Sequence, residues 1–583
     1  MSNLRVAVDI GGTFTDICIM DEASGQVRVA KTSSTPEDPL QGAMNGLGEA
    51  KVDLKNVTLF SHGTTVATNA LITRRLLPAA MVCTRGFRDV IEIRRANKEE
   101  LWDTYDDVAP PYIRRRDRLV VSERIDHAGK VVEALNEDDA REVARVLRKR
   151  GVESVAICLM NSFMNPTHEQ RLREILVAEM PGADIITSSE TLPEIFEHER
   201  FSTTVVNSIL SPVIGRYVQR MSTQLKEGGY ASDLLLLHSG GGVMTPATAQ
   251  HFAGRLAGSG IAAGAIASRH IAMLCGYENS IGLDMGGTSC DVSLVYGGES
   301  RVTKDWGIEF GHPIRFPSIE VLTIGAGGGS LAWIDDVGAL HNGPQSAGAT
   351  PGPLCYDTGG TAPTVTDAHL VLGRIPSSLI GGGIELNHGK AAEGLEVLAA
   401  DLGLTVEECA SGVLEIAAWN QANAIRQVTV RRGLDVRDFA LCGFGGSGPL
   451  QACRLLDLLG LEAAVVPPDP GNLSAYGLLV VDLRHDEVQT IGQSHGEISE
   501  STLGEVFSEI EQRASTALET QGYGKERQRI ARWVDLRYEG QAFEVQTNAP
   551  GGPVDDGFVA KVLANFHDEH ERLYGYCYRD RPE

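Results

Sequence analysis

The chain lacks any C-x-x-C pair. Its ten cysteines stand singly, at 18, 83, 158, 275, 290, 355, 409, 442, 453 and 577, so neither a zinc ribbon nor a thioredoxin-type dithiol is encoded. No apolar stretch approaches the ~18 residues of a membrane span. Met1-Ser2-Asn3-Leu4-Arg5 runs directly into an apolar segment, without the charged and apolar regions of a secretory leader. These absences lead us to expect a cytoplasmic protein with reduced thiols and no membrane partner. Positive charge is also scarce. Lys and Arg number 52 against 77 Asp and Glu, a formal net charge of −25, and nucleic acid or an anionic surface would need a basic face. Arg114-Arg115-Arg116 is the one local exception and reads as a solvated loop. A G-x-x-x-x-G-K-[ST] phosphate loop is missing as well.

What is present in quantity is glycine, 65 residues gathered in short clusters, the usage expected of tight turns and of backbone that approaches a ligand closely. Two of these clusters are copies of each other. Residues 9–19 read DIGGTFTDICI and residues 284–294 read DMGGTSCDVSL, a constant offset of 275 (284 − 9). Asp9, Gly11, Gly12, Thr13 and Asp16 match Asp284, Gly286, Gly287, Thr288 and Asp291. Each copy lies between β-type segments, so each predicts a glycine-turned β-hairpin, one per lobe. Between and after them the pattern alternates helix and strand. We expect an α/β protein with a lobe over 1–195 holding the first hairpin and a second lobe over 196–494 holding the other. A C-terminal α+β region is expected over 495–583.

Each hairpin has the parts of a phosphate site. Turn glycines let backbone N–H groups point at an anion, and Thr13, Thr15, Thr288 and Ser289 add hydroxyl donors. Asp9 and Asp284 would be repelled by phosphate directly. Their natural work is to hold Mg²⁺ through water or to accept a proton from a nucleophile. Gly443–Gly448 also satisfies G-x-G-x-x-G, with Asp469 further on, which is formally a dinucleotide fingerprint. Behind two phosphate hairpins it reads better as a loop under an adenosine and its α-phosphate, through Gly445, Gly446, Ser447 and Gly448. A third backbone-approach loop is predicted at Gly325–Gly329, with Gly327 and Gly328 at its centre. His62, Thr64, Thr65 and Asn69 in SHGTTVATNAL form a donor and acceptor set suited to a small polar substrate, or else an N-capped helix start. Asp367 is either a charge in the cleft or a helix cap. Two such hairpins in matching context predict the two-lobed actin-like ATPase fold of sugar kinases, actin and heat-shock ATPases, binding ATP and Mg²⁺.

Taken in order, DIGGTFTD, SHGTTVATNAL, LDMGGTSCDVSL, TIGAGGGSLAWID, SAGATPGPLCY, PTVTDAHLVLGR and FALCGFGGSGPL resemble the hydantoinase A/oxoprolinase family, and DLRYEGQAFEV and HERLYGY resemble its C-terminal region. The resemblance implies ATP-dependent phosphorylation of the carbonyl oxygen of a cyclic amide (a hydantoin, 5-oxoproline or another lactam), with a B-type subunit completing ring opening. It also implies a relation to acetone- and acetophenone-type ketone carboxylases, which phosphorylate an enol or bicarbonate. A homo- or hetero-oligomer is expected. By the same resemblance Asp9–Asp16 and Asp284–Asp291 would bind phosphates and Mg²⁺, Gly445–Gly448 the nucleotide, and His62–Asn69 the substrate, with His62 a catalytic candidate. A non-metabolic actin-like ATPase is the alternative from another class. Family chains continue past the position of Glu583, so a shortened or split subunit is a further expectation.

Overall fold

The computed structural model describes residues 3–11, 14–35, 38–379, 384–494 and 496–583. Gly12 and Thr13 therefore lie outside the described residues.

Leu4–Ile10 is apolar on both faces and buried along nearly its whole length, as a central strand must be. It turns into the antiparallel strand Phe14–Asp21, which pairs in turn with Val27–Ser33. On its other side lie the parallel strands Val57–Thr64 and then Leu234–Leu237. The second hairpin repeats this arrangement. Ser280–Met285 pairs antiparallel with Cys290–Tyr296, which pairs with Val321–Ile324. Its parallel neighbours are Ala440–Phe444 and then Ala463–Val465. Two sheets with the same strand order, each grown from one copy of the repeat, are the two lobes of an actin-like fold, as the paired hairpins predicted.

The lobe boundary expected at 195/196 is a misreading. Leu234–Leu237 and Val243–Met244 belong to the first sheet, so the first lobe draws on chain well beyond residue 195. Antiparallel hairpins are local in sequence, but a parallel strand can arrive after any length of crossover. Here the crossover holds a further four-stranded parallel sheet, in the order Asp184–Thr187, Ser154–Cys158, Ala79–Thr84, Arg118–Val121. Helix Glu197–Glu227 returns the chain to the first sheet. Its face from Phe201 through Ile209 to Tyr217 packs in the same core as Val6, Val8 and Phe60.

The C-terminal region is α+β, as expected: helix Glu500–Thr520, the antiparallel pair Arg532–Leu536 and Val545–Ala549, and helix Phe558–Tyr574. Leu503, Phe507, Phe558 and Val562 form its core. Lys304 ties it to the first lobe's insertion, with Nζ 2.9 Å from Asp535 and 2.8 Å from Glu194. Among the described residues no helix is long and apolar enough to cross a membrane.

Candidate active site

The duplicated strands end in duplicated carboxylates. Asp9 faces Asp16 across the first hairpin, and Asp284 faces Asp291 across the second. Burial is the main cause that pushes Asp9 up to about 7, with Asp16 and then Asp284 adding repulsion. Asp284 is likewise pushed up to about 7, by burial first and then by Asp291 and Asp16. The lobes thus bring the two strand-end aspartates close enough to feel each other, and Lys31 eases both. Carboxylates crowded in this way favour a bound cation. Among the described residues no three His, Cys, Asp or Glu side chains gather into a protein-only cage. One or two carboxylates, completed by water and phosphate oxygens, is the donor set that Mg²⁺ takes, so the residues fit that ion.

The second turn leaves room for an anion. Gly11 N–H donates to the Phe14 carbonyl at 3.0 Å and Gly286 N–H to Ser289 at 3.1 Å. A side chain built on Gly286 or Gly287 would meet nothing within 4 Å, so both face open space beside half-exposed Ser289 and exposed Thr288. Gly446 is open in the same way. Gly445 adopts φ +81°, and a Cβ there would collide with the Asp284 carboxylate and the Met285 carbonyl. Ser447 N–H donates to Met285 O at 2.8 Å, and Gly448 opens helix Gly448–Leu459. The loop after Ala440–Phe444 therefore lies directly against the second hairpin.

Three expectations change. Gly327 and Gly328 approach the hairpin itself rather than open space. Gly328 N–H donates to Gly286 O at 3.0 Å, and Gly329 N–H to Gly287 O at 2.6 Å. A Cβ on Gly327 would come within 2.6 Å of the Gly287 carbonyl. They brace the turn. Thr15 is fully buried and bonded to Ser34 at 3.1 Å, whose hydroxyl donates to Gly11 O at 2.8 Å. It supports the first turn from behind.

The third correction concerns the 62–69 segment, which divides. His62 is wholly buried, with Nδ1 2.9 Å from Val8 O and Nε2 2.7 Å from the Tyr217 hydroxyl. Both ring nitrogens are spent inside the core, so His62 is neither a substrate ligand nor a catalytic group here. Thr64 is buried beside it, while Thr65 is half-buried and Asn69 exposed, with Asn69 Nδ2 donating to Thr65 Oγ1 at 3.2 Å. Asp367 is a cap: with Thr364 it closes a capping box, and it also accepts from Cys355 N–H at 2.7 Å.

His62→Ala should accordingly cost stability, about 2–4 kcal/mol for the lost ring and its hydrogen bonds. Burial pushes His62 down to about 4, against an ordinary 6.5. The unfolded chain therefore takes up this proton first, and the stability His62 contributes is complete above pH 6.5 and lost as pH falls toward 4. Urea melts at pH 7.5 and pH 5 should show a smaller pH effect in His62→Gln than in the parent. An equal pH effect in both would contradict the core assignment.

Several further residues reach the carboxylates without having been singled out from the sequence. Gly63 lies beside Asp9 in the sheet register, and a Cβ on it would come 2.6 Å from Asp9 Oδ1. Lys31 forms an ion pair with Asp16 and donates to Gly471 O at 3.2 Å. Asn472 Nδ2 donates to Asp16 at 2.7 Å, and the Ser474 hydroxyl favours ionised Asp284. The segment 470–474 therefore spans from one hairpin to the other. The only sequence signal for it is the turn-rich PPDPGNLS, which gives no hint of its partners.

The chain matches known proteins along most of its length. Residues 5–180 match the hydantoinase/oxoprolinase N-terminal region and residues 200–487 match hydantoinase/oxoprolinase. The chain is 34% identical over 594 residues to caprolactamase subunit alpha of Pseudomonas jessenii, covering 99% of this chain and 85% of that one. The crystal structure of ATP-dependent caprolactamase from that organism superposes with a TM-score of 0.92, over 99% of this chain and 86% of that one. Acetophenone carboxylase gamma subunit of Aromatoleum aromaticum is 34% identical over 517 residues, 82% of this chain and 68% of that one. Acetone carboxylase in its nucleotide-free structure superposes with a TM-score of 0.75 at 26% identity, over 98% and 85%. Duplicated carboxylate hairpins, a shared two-lobed fold and matches along almost the whole chain lead to one assignment: this chain belongs to the hydantoinase/oxoprolinase family.

Proposed function

We propose that the chain is the ATP-using subunit of an enzyme that phosphorylates the carbonyl oxygen of a cyclic amide, with a B-type subunit completing ring opening. The observation that carries this reading is the pair of strand-end carboxylates, Asp9 and Asp284, placed alike on duplicated hairpins and opposite Asp16 and Asp291, with Asp9 close enough to feel the charge of Asp284. Asp9 and Asp284 would hold Mg²⁺ through water, and when bound the ion neutralises charge on the phosphates. The open turn at Gly286–Gly287 offers the Gly287 N–H and the neighbouring Thr288 and Ser289 hydroxyls to phosphate oxygens, and Gly446 leaves room for the nucleotide. Thr65, just before the short helix Val66–Thr73, and Asn69 on it are the polar groups left to meet a small substrate.

The chemistry explains the need for ATP. An amide carbon is a poor electrophile. Attack of the amide oxygen on the terminal phosphoryl group releases ADP and leaves a phosphorylated oxygen, which can depart as phosphate once water has added to the carbon. A second reading, supported by the likeness to acetophenone and acetone carboxylase subunits, is phosphorylation of an enol or of bicarbonate for ketone carboxylation. Co-expression with a B-type partner and an ATPase screen over hydantoins, lactams, 5-oxoproline and ketones, with and without bicarbonate, separates them. ATP turnover with a cyclic amide alone is expected. Turnover that needs both ketone and bicarbonate would replace the first reading with the second, and turnover that ignores every small molecule would sink both.

A further inference from the structure

Helix Val90–Ile93 ends at Arg94 with φ 57° and ψ −134°, a conformation open to glycine and strained for a residue with a Cβ. The side chain is only 9% exposed. Nη2 donates to the Ala109 carbonyl, but Nε and Nη1 are buried without a partner. Cations around it are matched: Arg74 with Glu309, Arg95 with Glu199 and Arg118 with Glu92. Arg94 makes no ion pair among the described residues. Glu92, Asp107 and Glu309 favour its charge from nearby, but none of them pairs with it, so two buried N–H groups stay unmatched at a cost, and backbone strain is added to it.

His198, also buried, leaves Nδ1 without a partner. Burial, opposed by Glu199 and reinforced by Arg95, His312 and Arg94, pushes it down to about 4, so it is a neutral hydrogen-bonding group. Both residues follow the carboxyl ends of strands in the inserted parallel sheet. Its winding reverses between Ser154–Cys158 and Ala79–Thr84, and open parallel sheets take ligands at such a switch. Helix Val66–Thr73 begins beside the Asp9 strand and ends at Arg74, next to this cluster. Eight residues at 1.5 Å each separate the two places by ~12 Å. Gly311, at φ +79°, covers the guanidinium, and a Cβ on it would lie 2.5 Å from Arg94 Nη1.

We propose that Arg94, with His198, forms a second anion subsite for a carboxylate-type group, either a carboxylate carried by the substrate or bicarbonate. The identity of the substrate rests on the reaction proposed above, while the subsite rests on its own geometry. A guanidinium fork matches two carboxylate oxygens, and both sources present such a pair.

Arg94→Gly relieves the strain and removes the guanidinium in one change. Calorimetric titration of parent and variant would use 5-oxoproline, 2-pyrrolidinone (the same ring without the carboxylate) and bicarbonate, at constant chloride. The variant's Tm is expected to equal or exceed the parent's, while affinity for a carboxylate probe falls at least about tenfold. Loss confined to 5-oxoproline assigns the subsite to the substrate, and loss confined to bicarbonate assigns it to that ion. A lower Tm, no binding of either anion by the parent, or binding indifferent to the substitution overturns the subsite. Parent ATP turnover on the same compounds reads the proposed reaction separately, so either idea can fail alone.

Discussion

Asp9→Asn and Asp284→Asn are each expected to lower ATP turnover by ~10²–10³-fold or more while making the nucleotide-free protein more stable. The loss follows from the position of these carboxylates at the ends of the duplicated strands, where they would hold Mg²⁺ against the phosphates. The gain follows from their electrostatics. Each is pushed up to about 7, chiefly by burial, from an ordinary 3.8. Above pH 7 the folded chain must keep both ionised in a crowded site, which costs stability. As pH falls from 7 toward 4 the folded state takes up protons that the unfolded chain does not yet bind, and the cost disappears. The amide variants should therefore melt at a higher Tm than the parent at pH 8, by a margin that shrinks at pH 5. Steady-state ATPase and melts in EDTA at both pH values provide the check. Retained turnover would remove these residues from the phosphate site, and an equal margin at both pH values would contradict the buried-charge explanation.

Gly446→Val should weaken nucleotide binding about tenfold or more with little change in Tm. A Cβ at 446 meets no protein atom within 4 Å, so the added side chain occupies only the space assigned to the nucleotide, and its backbone is not in the left-handed region. The neighbouring Gly445 is the contrast. At φ +81°, with the Asp284 carboxylate beside it, Gly445→Val should lose stability and binding together. Fluorescent-ATP titration and thermal melts on both variants distinguish the two effects. Unchanged affinity in Gly446→Val would rule out the adenosine-loop assignment, whatever Gly445→Val does.

The repeat was legible because a glycine-turned hairpin is local. Asp9, the turn glycines and Asp16 lie within eight positions, and the second copy repeats the spacing, so residue order alone announces two equivalent strand ends. The C-terminal α+β region was legible for a similar reason, since its helices and antiparallel pair are built from neighbouring segments. His62 was not. A histidine among threonines and an asparagine looks identical whether its strand edge faces a cleft or a core, and only the arrival of Tyr217 from helix Glu197–Glu227 decides the matter. Gly327 misled in a related way: a glycine needed for close approach does not disclose whether the approaching group is a ligand or another turn.

The sequence by itself determined two matching glycine-turned hairpins, two strand-end carboxylates, a net charge of −25 and the family. Tertiary structure alone decided which groups share a site. It paired Leu234–Leu237 with a strand some 170 residues earlier (234 − 64), moving the lobe boundary. It drew Lys31, Asn472 and Ser474 around the carboxylates, and it left two buried Arg94 nitrogens, Nε and Nη1, without a hydrogen-bond partner. Parallel pairing and lobe closure join segments far apart in the chain, and no local pattern of residues encodes a contact whose other half lies hundreds of positions away.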